Sequence, residues 1–307
     1  MTSQNPFKGV FTPVITCFTA DDSAAIDEAG QRAVLNYLFE SQLVDGIVAC
    51  ASTGEGVLLS DEEYWKVAAI CLEECKKRKK IAILATTHFR HDITIKRNHE
   101  AKERGFDAVL ITPPPYVKPD QKGTRSYFDE ISRRSNNMSI FLYNVWYRTG
   151  GKPIDAKTII ELARYDNIVG IKDCGVTIDH VDEVIEHTDR KTFAYLCGED
   201  TLYFDYLMHG GDGAIGAPSH IVGKMMQEML AARDKSDLPK CQLIHRQIKN
   251  IISLLFSEPN PSCFKAALAI LGVCKTAPKY PVILPASDEA HAKLDSALKM
   301  ANIPRVA

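Results

Sequence analysis

The chain has 307 residues, of which 45% are hydrophobic and 25% charged, with a formal net charge of −2. This composition is typical of a globular protein, and the near-neutral charge predicts no general binding to nucleic acid or to an anionic membrane. No apolar run reaches the roughly 18 residues that a membrane-spanning helix needs. The polar first ten residues predict no secretory signal.

Nine cysteines are scattered along the chain, and no two of them form a CxxC pair. An odd number without clustered spacing argues against a disulfide framework or a zinc ribbon. The pattern instead favours reduced, mostly buried thiols, as in a cytoplasmic protein.

In chain order, eight short apolar runs rich in β-branched residues alternate with longer segments of helical periodicity. The runs are VFTPVIT (10–16), GIVAC (46–50), IAILATT (81–87), AVLITPP (108–114), SIFLYNV (139–145), IVGIKDC (168–174), FAYLCG (193–198) and DGAIGAP (212–218). Runs that are apolar throughout indicate strands buried on both faces, as in a parallel sheet. Ser60, followed by three acidic residues, predicts the start of the helix after the second run.

Eight β-then-α units predict an α/β fold, a (β/α)8 TIM barrel, over residues 1–235. The alternative is a doubly wound open sheet, for which a GxGxxG motif would follow the first strand, and none does. Residues 236–307 contain three segments of helical spacing separated by Pro-rich breaks. We expect them to form a small helical C-terminal extension.

Polar groups stand where several of the strand-like runs end, which is where barrels of this type carry catalytic groups. Lys172 lies inside IVGIKDC. Burial lowers the pKa of a lysine, and a neutral amine can attack a carbonyl carbon to form a Schiff base. The alternative is a lysine paired with Asp173 or with another acid at the strand end. Tyr143, in the preceding run, could transfer protons there or could be a core tyrosine with one hydrogen-bond partner.

Other polar groups near these ends could bind a substrate. Ser52 and Thr53 lie in ASTGEG, where hydroxyls and the N–H groups of a glycine-rich turn can hold a carboxylate, although an ordinary strand–helix turn fits as well. Arg148 could bind a carboxylate or lie at the surface. His88 and His91 are too isolated to complete the ligand set of a metal-dependent aldolase, so we expect no metal.

Together these motifs resemble the dihydrodipicolinate synthase / N-acetylneuraminate lyase family of class I aldolases. STGE at 52–55, YNV at 143–145 and GIKD at 170–173 are each similar to a family motif, in the expected order. The resemblance covers nearly the whole chain. It implies a Schiff-base lysine, no metal or organic cofactor, and a homotetramer built as a dimer of dimers.

The resemblance also implies roles for individual residues. Lys172 would form an imine with the keto carbon of pyruvate or of another 2-keto acid, and Tyr143 would be the acid and base. Thr53 would hydrogen-bond Tyr143 in a proton relay that Tyr116 completes from a neighbouring subunit. Ser52 and Thr53 would hold the carboxylate of pyruvate.

The second substrate is defined less closely. YNVWYRTG resembles the synthase branch of the family, in which the arginine, here Arg148, holds the carboxylate of an acidic aldehyde. Ile215 stands where the family contributes a backbone contact. Trp146 replaces the usual proline, and this leaves open an aldolase or dehydratase that acts on 2-keto-3-deoxy sugar acids or 4-hydroxy-2-oxoglutarate. A barrel without catalysis is disfavoured, because Lys172 and its proposed partners are all present.

Overall fold

The structure is a computed structural model, and it describes residues 5–19, 24–279 and 281–306. Within these ranges eight strands form, and each begins within one residue of its predicted run. They are β1 (Gly9–Pro13), β2 (Gly46–Ala49), β3 (Ile81–Ala85), β4 (Ala108–Ile111), β5 (Ile140–Asn144), β6 (Ile168–Asp173), β7 (Ala194–Cys197) and β8 (Gly213–Ile215).

The strands follow one another in chain order around a closed barrel, and neighbouring strands pair in parallel. This confirms the predicted (β/α)8 barrel and excludes the open doubly wound sheet. Nearly every strand residue is buried, as expected when side chains fill the barrel interior on one face and contact helices on the other.

Helices separate the strands and continue after β8. They are α1 (Glu28–Glu40), α2 (Asp61–Arg78), α3 (His91–Arg104), α4 (Gln121–Arg134), α5 (Trp146–Thr149), α6 (Ala156–Leu162), α7 (Ile178–Glu186), α8 (Tyr203–Met208), α9 (Ser219–Asp234), α10 (Leu238–Leu255), α11 (Ser262–Ile270) and α12 (Asp288–Met300). The last three confirm the helices predicted after residue 235. In the part of the chain that the structure describes, none of the helices is both long and apolar enough to cross a membrane.

Local sequence explains where α2 begins. The Ser60 hydroxyl accepts a hydrogen bond from the backbone N–H of Glu63, and the Glu63 carboxylate accepts one from the N–H of Ser60. This reciprocal capping box satisfies two N–H groups that would otherwise have no helical partner. It confirms the predicted helix start and sets the length of the segment between β2 and α2.

The chain divides into two compact units. One comprises Met1–Gly9 and Ile83–Ile215, and the other comprises Val10–Ala82 and Gly216–Ala307. The first contains β4 to β8, and the second contains β2 and α10 to α12. The division into a barrel of residues 1–235 and an extension of residues 236–307 stays a prediction.

Candidate functional site

In the first unit, strand register brings Lys172 and Tyr143 together. Tyr143 on β5 is the register partner of Lys172 on β6. Register partners in a parallel sheet present their side chains to the same face. The Lys172 Nζ lies 4.5 Å from the centroid of the Tyr143 ring, and the two residues are only 6% and 7% exposed. A buried amine therefore lies beside a buried phenol.

Asp173, the next residue on β6, points to the opposite face. Its carboxylate accepts hydrogen bonds from Asn144 Nδ2 at 2.9 Å and from the Tyr195 hydroxyl, and it lies 3.1 Å from His180 Nε2. His180 belongs to α7, so Asp173 faces the helical layer, and Lys172 must face the barrel interior. Asp173 is therefore engaged by other groups, and the structure does not pair it with Lys172.

The pKa of Lys172 is shifted upward, although burial alone would lower it. Burial lowers it, but Tyr143, Cys174 and the carboxylate of Asp200 raise it through their negative charge, and the net direction is upward. The expectation of a lowered pKa is therefore wrong. Burial also raises the pKa of Cys174 to about 12, so this thiol keeps its proton at pH 7. Asp200 then favours the ammonium form through its charge, and Tyr143 favours it through a hydrogen bond.

Gly198, just after β7, leaves room for the lysine side chain. A Cβ atom added at Gly198 would lie 2.8 Å from the Lys172 Cγ and 2.4 Å from the Cys174 Sγ. The Gly198 N–H donates to the carbonyl oxygen of Asp173 at 2.7 Å, so the backbone cannot withdraw without losing this bond. Only glycine fits here without displacing the proposed nucleophile.

The other predicted residues of the first unit lie at strand ends or on the surface. Arg148 is exposed on the short helix α5, directly after β5, and Ile215 is the buried last residue of β8. Tyr116 is 89% exposed, and its N–H donates to the Thr149 carbonyl at 3.1 Å. The segment that carries Tyr116 is therefore fastened to α5. The Trp146 indole donates to the Gly175 carbonyl at 3.2 Å and is 37% exposed.

In the second unit, Ser52 and Thr53 lie in a tight turn after β2. The N–H of Glu55 donates to the Ser52 carbonyl at 3.1 Å, and the N–H of Gly56 donates to the Ala51 carbonyl at 3.2 Å. These two amides are engaged within the turn, so the predicted set of N–H groups for a carboxylate is reduced. A carboxylate would have to be held mainly by Ser52 and Thr53.

Side chains from distant segments hold this turn. The Thr16 hydroxyl donates to the Gly54 carbonyl at 2.6 Å, and Asn260 Nδ2 donates to the Thr53 Oγ at 3.0 Å. Because the Thr53 oxygen accepts from Asn260, its own hydrogen is available for another acceptor. Asn260 therefore orients the hydroxyl that the sequence identifies as a candidate, although the sequence assigned it no role.

A buried ion pair also fastens the turn. Glu55 Oε1 accepts from Lys265 Nζ at 2.6 Å, Glu55 Oε2 accepts from the N–H of Lys279 at 2.6 Å, and both side chains of the ion pair are buried. Sequence reasoning missed this pair. Lys265 could have indicated the pair, because it is the only charged residue in the apolar helix α11. A lysine is rarely buried unless it is paired.

Within the described residues, no group of three or more His, Cys, Asp and Glu side chains could hold a metal ion. The features that remain are an eight-stranded barrel, a buried lysine on β6 and a tyrosine beside it on β5. A buried amine beside a phenol on the strands of a barrel fits the class of lyases that work through a Schiff base.

Comparisons with known proteins agree with that class. The model of the dihydrodipicolinate synthetase family matches residues 6–301, and the chain belongs to this family. It is 34% identical over 294 residues to the 4-hydroxy-tetrahydrodipicolinate synthase of Methanosarcina mazei, covering 95% of this chain and 98% of that one. The synthase of Methanococcoides burtonii is 33% identical over 293 residues, with the same coverage.

A solved structure shows the same fold. The dihydrodipicolinate synthase of Thermotoga maritima has a TM-score of 0.90 and 29% identity, covering 97% of this chain and 99% of that chain. The enzymes of this family are lyases that form carbon–carbon bonds. The predicted family and enzyme class are therefore confirmed.

Proposed function

We propose that this protein is a class I pyruvate-dependent lyase that condenses pyruvate with an acidic aldehyde, as in a 4-hydroxy-tetrahydrodipicolinate synthase. Lys172 is the Schiff-base residue. The observation that carries this proposal is the pairing of Lys172 with Tyr143 on the inner face of β6 and β5, with Asp173 engaged on the other face.

The chemistry follows from the amine. Lys172 attacks the keto carbon of pyruvate, a carbinolamine forms, and loss of water gives the imine. The protonated imine withdraws electrons from the methyl carbon, which loses a proton to give an enamine. That carbon then attacks the carbonyl carbon of the aldehyde, whose oxygen takes up a proton. Addition of water to the imine releases the product and restores the Lys172 amine. Each step moves a proton, so a proton donor and acceptor must stand beside the amine.

Tyr143 is the group in the right place for this proton transfer. Negative charge on Tyr143 raises the pKa of Lys172, so the protonation states of the two groups are linked. When the proton passes from the ammonium to the tyrosine oxygen, the amine becomes nucleophilic without releasing charge to solvent. A raised pKa is therefore compatible with reactivity, because a Tyr143 phenolate can take up the proton that the lysine must lose.

The remaining site residues have proposed roles that follow the family. Ser52 and Thr53 hold the carboxylate of pyruvate, and Thr53 also belongs to the proton relay. Arg148 binds the carboxylate of the aldehyde, which its exposed position after β5 supports. Ile215 contributes a backbone contact to the substrate. Tyr116 acts from a neighbouring subunit.

We also propose a homotetramer, a cytoplasmic location, and a reaction without metal or organic cofactor, with neither nucleic acid nor membrane as partner. The 89% exposure of Tyr116 supports the oligomer, because a relay residue that contacts solvent in one chain would be covered by a partner. Sedimentation of wild type and of Tyr116→Ala tests this point. We expect a tetramer for wild type, and a monomeric wild type would contradict the proposal.

Borohydride trapping tests the nucleophile. Incubation with pyruvate and borohydride should leave a reduced pyruvyl adduct on the peptide that contains Lys172. Lys265 is the internal control, because it is also buried but bonded to Glu55. Lys172→Ala should remove both the adduct and turnover while leaving the fold intact. An unmodified protein, or an adduct on Lys265, would refute the Schiff-base assignment.

A panel of second substrates tests the specificity. A coupled pyruvate assay would compare aspartate semialdehyde with other aldehydes and with 2-keto-3-deoxy acids. Arg148→Ala should raise KM for the acidic aldehyde far more than KM for pyruvate, and Arg125→Ala, an exposed arginine paired with Glu161, should change neither. Preferred cleavage of 2-keto-3-deoxy acids would favour the alternative function.

A further inference from the structure

Two cysteines that are far apart in sequence face each other in the second unit. Cys17 follows β1 and Cys274 follows α11, and their Sγ atoms are 3.9 Å apart. Both backbone segments are held in place beside the sulfurs. The N–H of Phe18 donates to the Thr276 Oγ at 2.8 Å, and the Thr276 hydroxyl donates to the Phe18 carbonyl at 3.2 Å. The sulfur atoms can therefore approach each other through side-chain rotation.

The two thiols are chemically unequal. The hydrogen bond from Cys17 lowers the pKa of Cys274, and the ammonium of Lys265 lowers it further, whereas burial opposes both. The same hydrogen bond, together with burial, raises the pKa of Cys17. Cys274 is therefore the more acidic of the two thiols. The thiolate is the nucleophilic form of cysteine.

The environment of Cys274 also differs from that of the other cysteines. All nine are free thiols, and Cys274 is the one that is partly exposed. Burial raises the pKa of five further thiols, namely Cys71, Cys174, Cys197, Cys241 and Cys263. Oxidation selects thiols that are exposed and have thiolate character. Cys274 is partly exposed, has a lowered pKa and has a second thiol beside it.

We propose that Cys17 and Cys274 are a redox-active dithiol that a small-molecule disulfide converts into an intrachain disulfide. With oxidised glutathione, the Cys274 thiolate attacks one sulfur, forms a mixed disulfide and releases one glutathione thiolate. Cys17 then attacks the Cys274 sulfur, and the second glutathione leaves. The proton from Cys17 passes to a leaving thiolate. Two protein thiols are oxidised and one glutathione disulfide is reduced to two thiols.

The position of the pair connects it to the turn that holds Ser52 and Thr53. Thr16, beside Cys17, donates to the Gly54 carbonyl, and Lys265, the cation near Cys274, is bonded to Glu55. Oxidation would therefore join two segments that both fasten this turn. The inference rests on the second unit alone and is independent of the Schiff-base proposal.

Mass spectrometry of the full-length protein tests the proposal. Reduced protein would be incubated with oxidised glutathione at neutral pH, alkylated and digested. We expect the loss of two hydrogen atoms and a cross-linked pair of peptides containing Cys17 and Cys274. The matched control Cys263→Ser, which replaces a buried cysteine of α11, should give the same cross-link.

Two variants separate the roles of the sulfurs. Cys17→Ser should accumulate a stable glutathione adduct on Cys274, because the resolving thiol is absent. Cys274→Ser should leave Cys17 unmodified. Failure of the wild type to form the cross-link, persistence of glutathione on Cys274 in the wild type, or a cross-link between other cysteines would each overturn the proposal.

Discussion

Replacing Glu55 by glutamine should strongly destabilise the second unit. Each carboxylate oxygen of Glu55 accepts one hydrogen bond at 2.6 Å, from the Lys265 ammonium and from the N–H of Lys279. Glutamine offers one acceptor and one donor, so its NH2 group must face either the ammonium or the amide. The Lys265 ammonium would keep only the Ala277 carbonyl, at 2.8 Å, and the face of the Phe18 ring, at 4.6 Å.

The magnitude follows from the loss of a buried counter-charge. Removing one partner of a buried ion pair costs about 3–5 kcal/mol, because the other charge stays buried without neutralisation. Lys265→Met should cost a similar amount by leaving the Glu55 carboxylate uncompensated. The double variant removes both charges and should be more stable than the sum of the two losses predicts. We expect a coupling of about 2 kcal/mol between the two sites.

Urea denaturation of the four proteins measures this cycle. The control is Glu289→Gln, which breaks an exposed i,i+4 pair with Lys293 on α12 and should leave the midpoint unchanged. If the losses from Glu55→Gln and Lys265→Met add within about 0.5 kcal/mol, the two residues are not coupled and the reasoning is refuted.

Two further predictions concern steric fit and pH. Gly198→Ala should displace the Lys172 side chain. Imine formation, measured by borohydride trapping, should then slow by about tenfold to a hundredfold. The control Gly123→Ala in α4 should not slow it, and equal rates in the two variants would contradict the packing argument. Burial lowers the pKa of His220 to about 4. Between about pH 6.5 and 4, the unfolded chain therefore binds a proton at this histidine that the folded chain does not. The free energy of unfolding should fall by about 3 kcal/mol as the pH falls through this range. Urea unfolding of His220→Gln should show a correspondingly smaller loss over this range, and an unchanged pH dependence would exclude His220 as the cause.

The barrel could be predicted because its strands carry their own signal. IVGIKDC contains β6, and AVLITPP begins where β4 begins. The predicted ends were too late, because apolar runs continue beyond the last strand residue. β4 ends at Ile111, shortly before Pro113, which has no N–H group for the ladder. Apolar composition locates a strand, whereas hydrogen-bonding capacity and turn geometry set its end.

The electrostatics of the site could not be predicted from one segment. The sequence around Lys172 shows apolar neighbours, and burial alone predicts a lowered pKa. Asp200 lies after the next strand, and Tyr143 lies on the preceding one. Their distances from Lys172 depend on strand register, which the local sequence does not state. The direction of the Lys172 pKa could therefore not be predicted from the local sequence.

The two buried lysines show why we propose the nucleophile from geometry rather than from pKa. The pKa of Lys265 is lowered by burial, and that of Lys172 is raised, so pKa alone would select Lys265. Yet the Lys265 ammonium is enclosed by Glu55, the Ala277 carbonyl and the Phe18 ring, which leaves no approach for a keto carbon. Lys172 projects from a strand into the barrel interior beside a phenol. Its neighbours can exchange a proton with it, whereas those of Lys265 hold its charge in place.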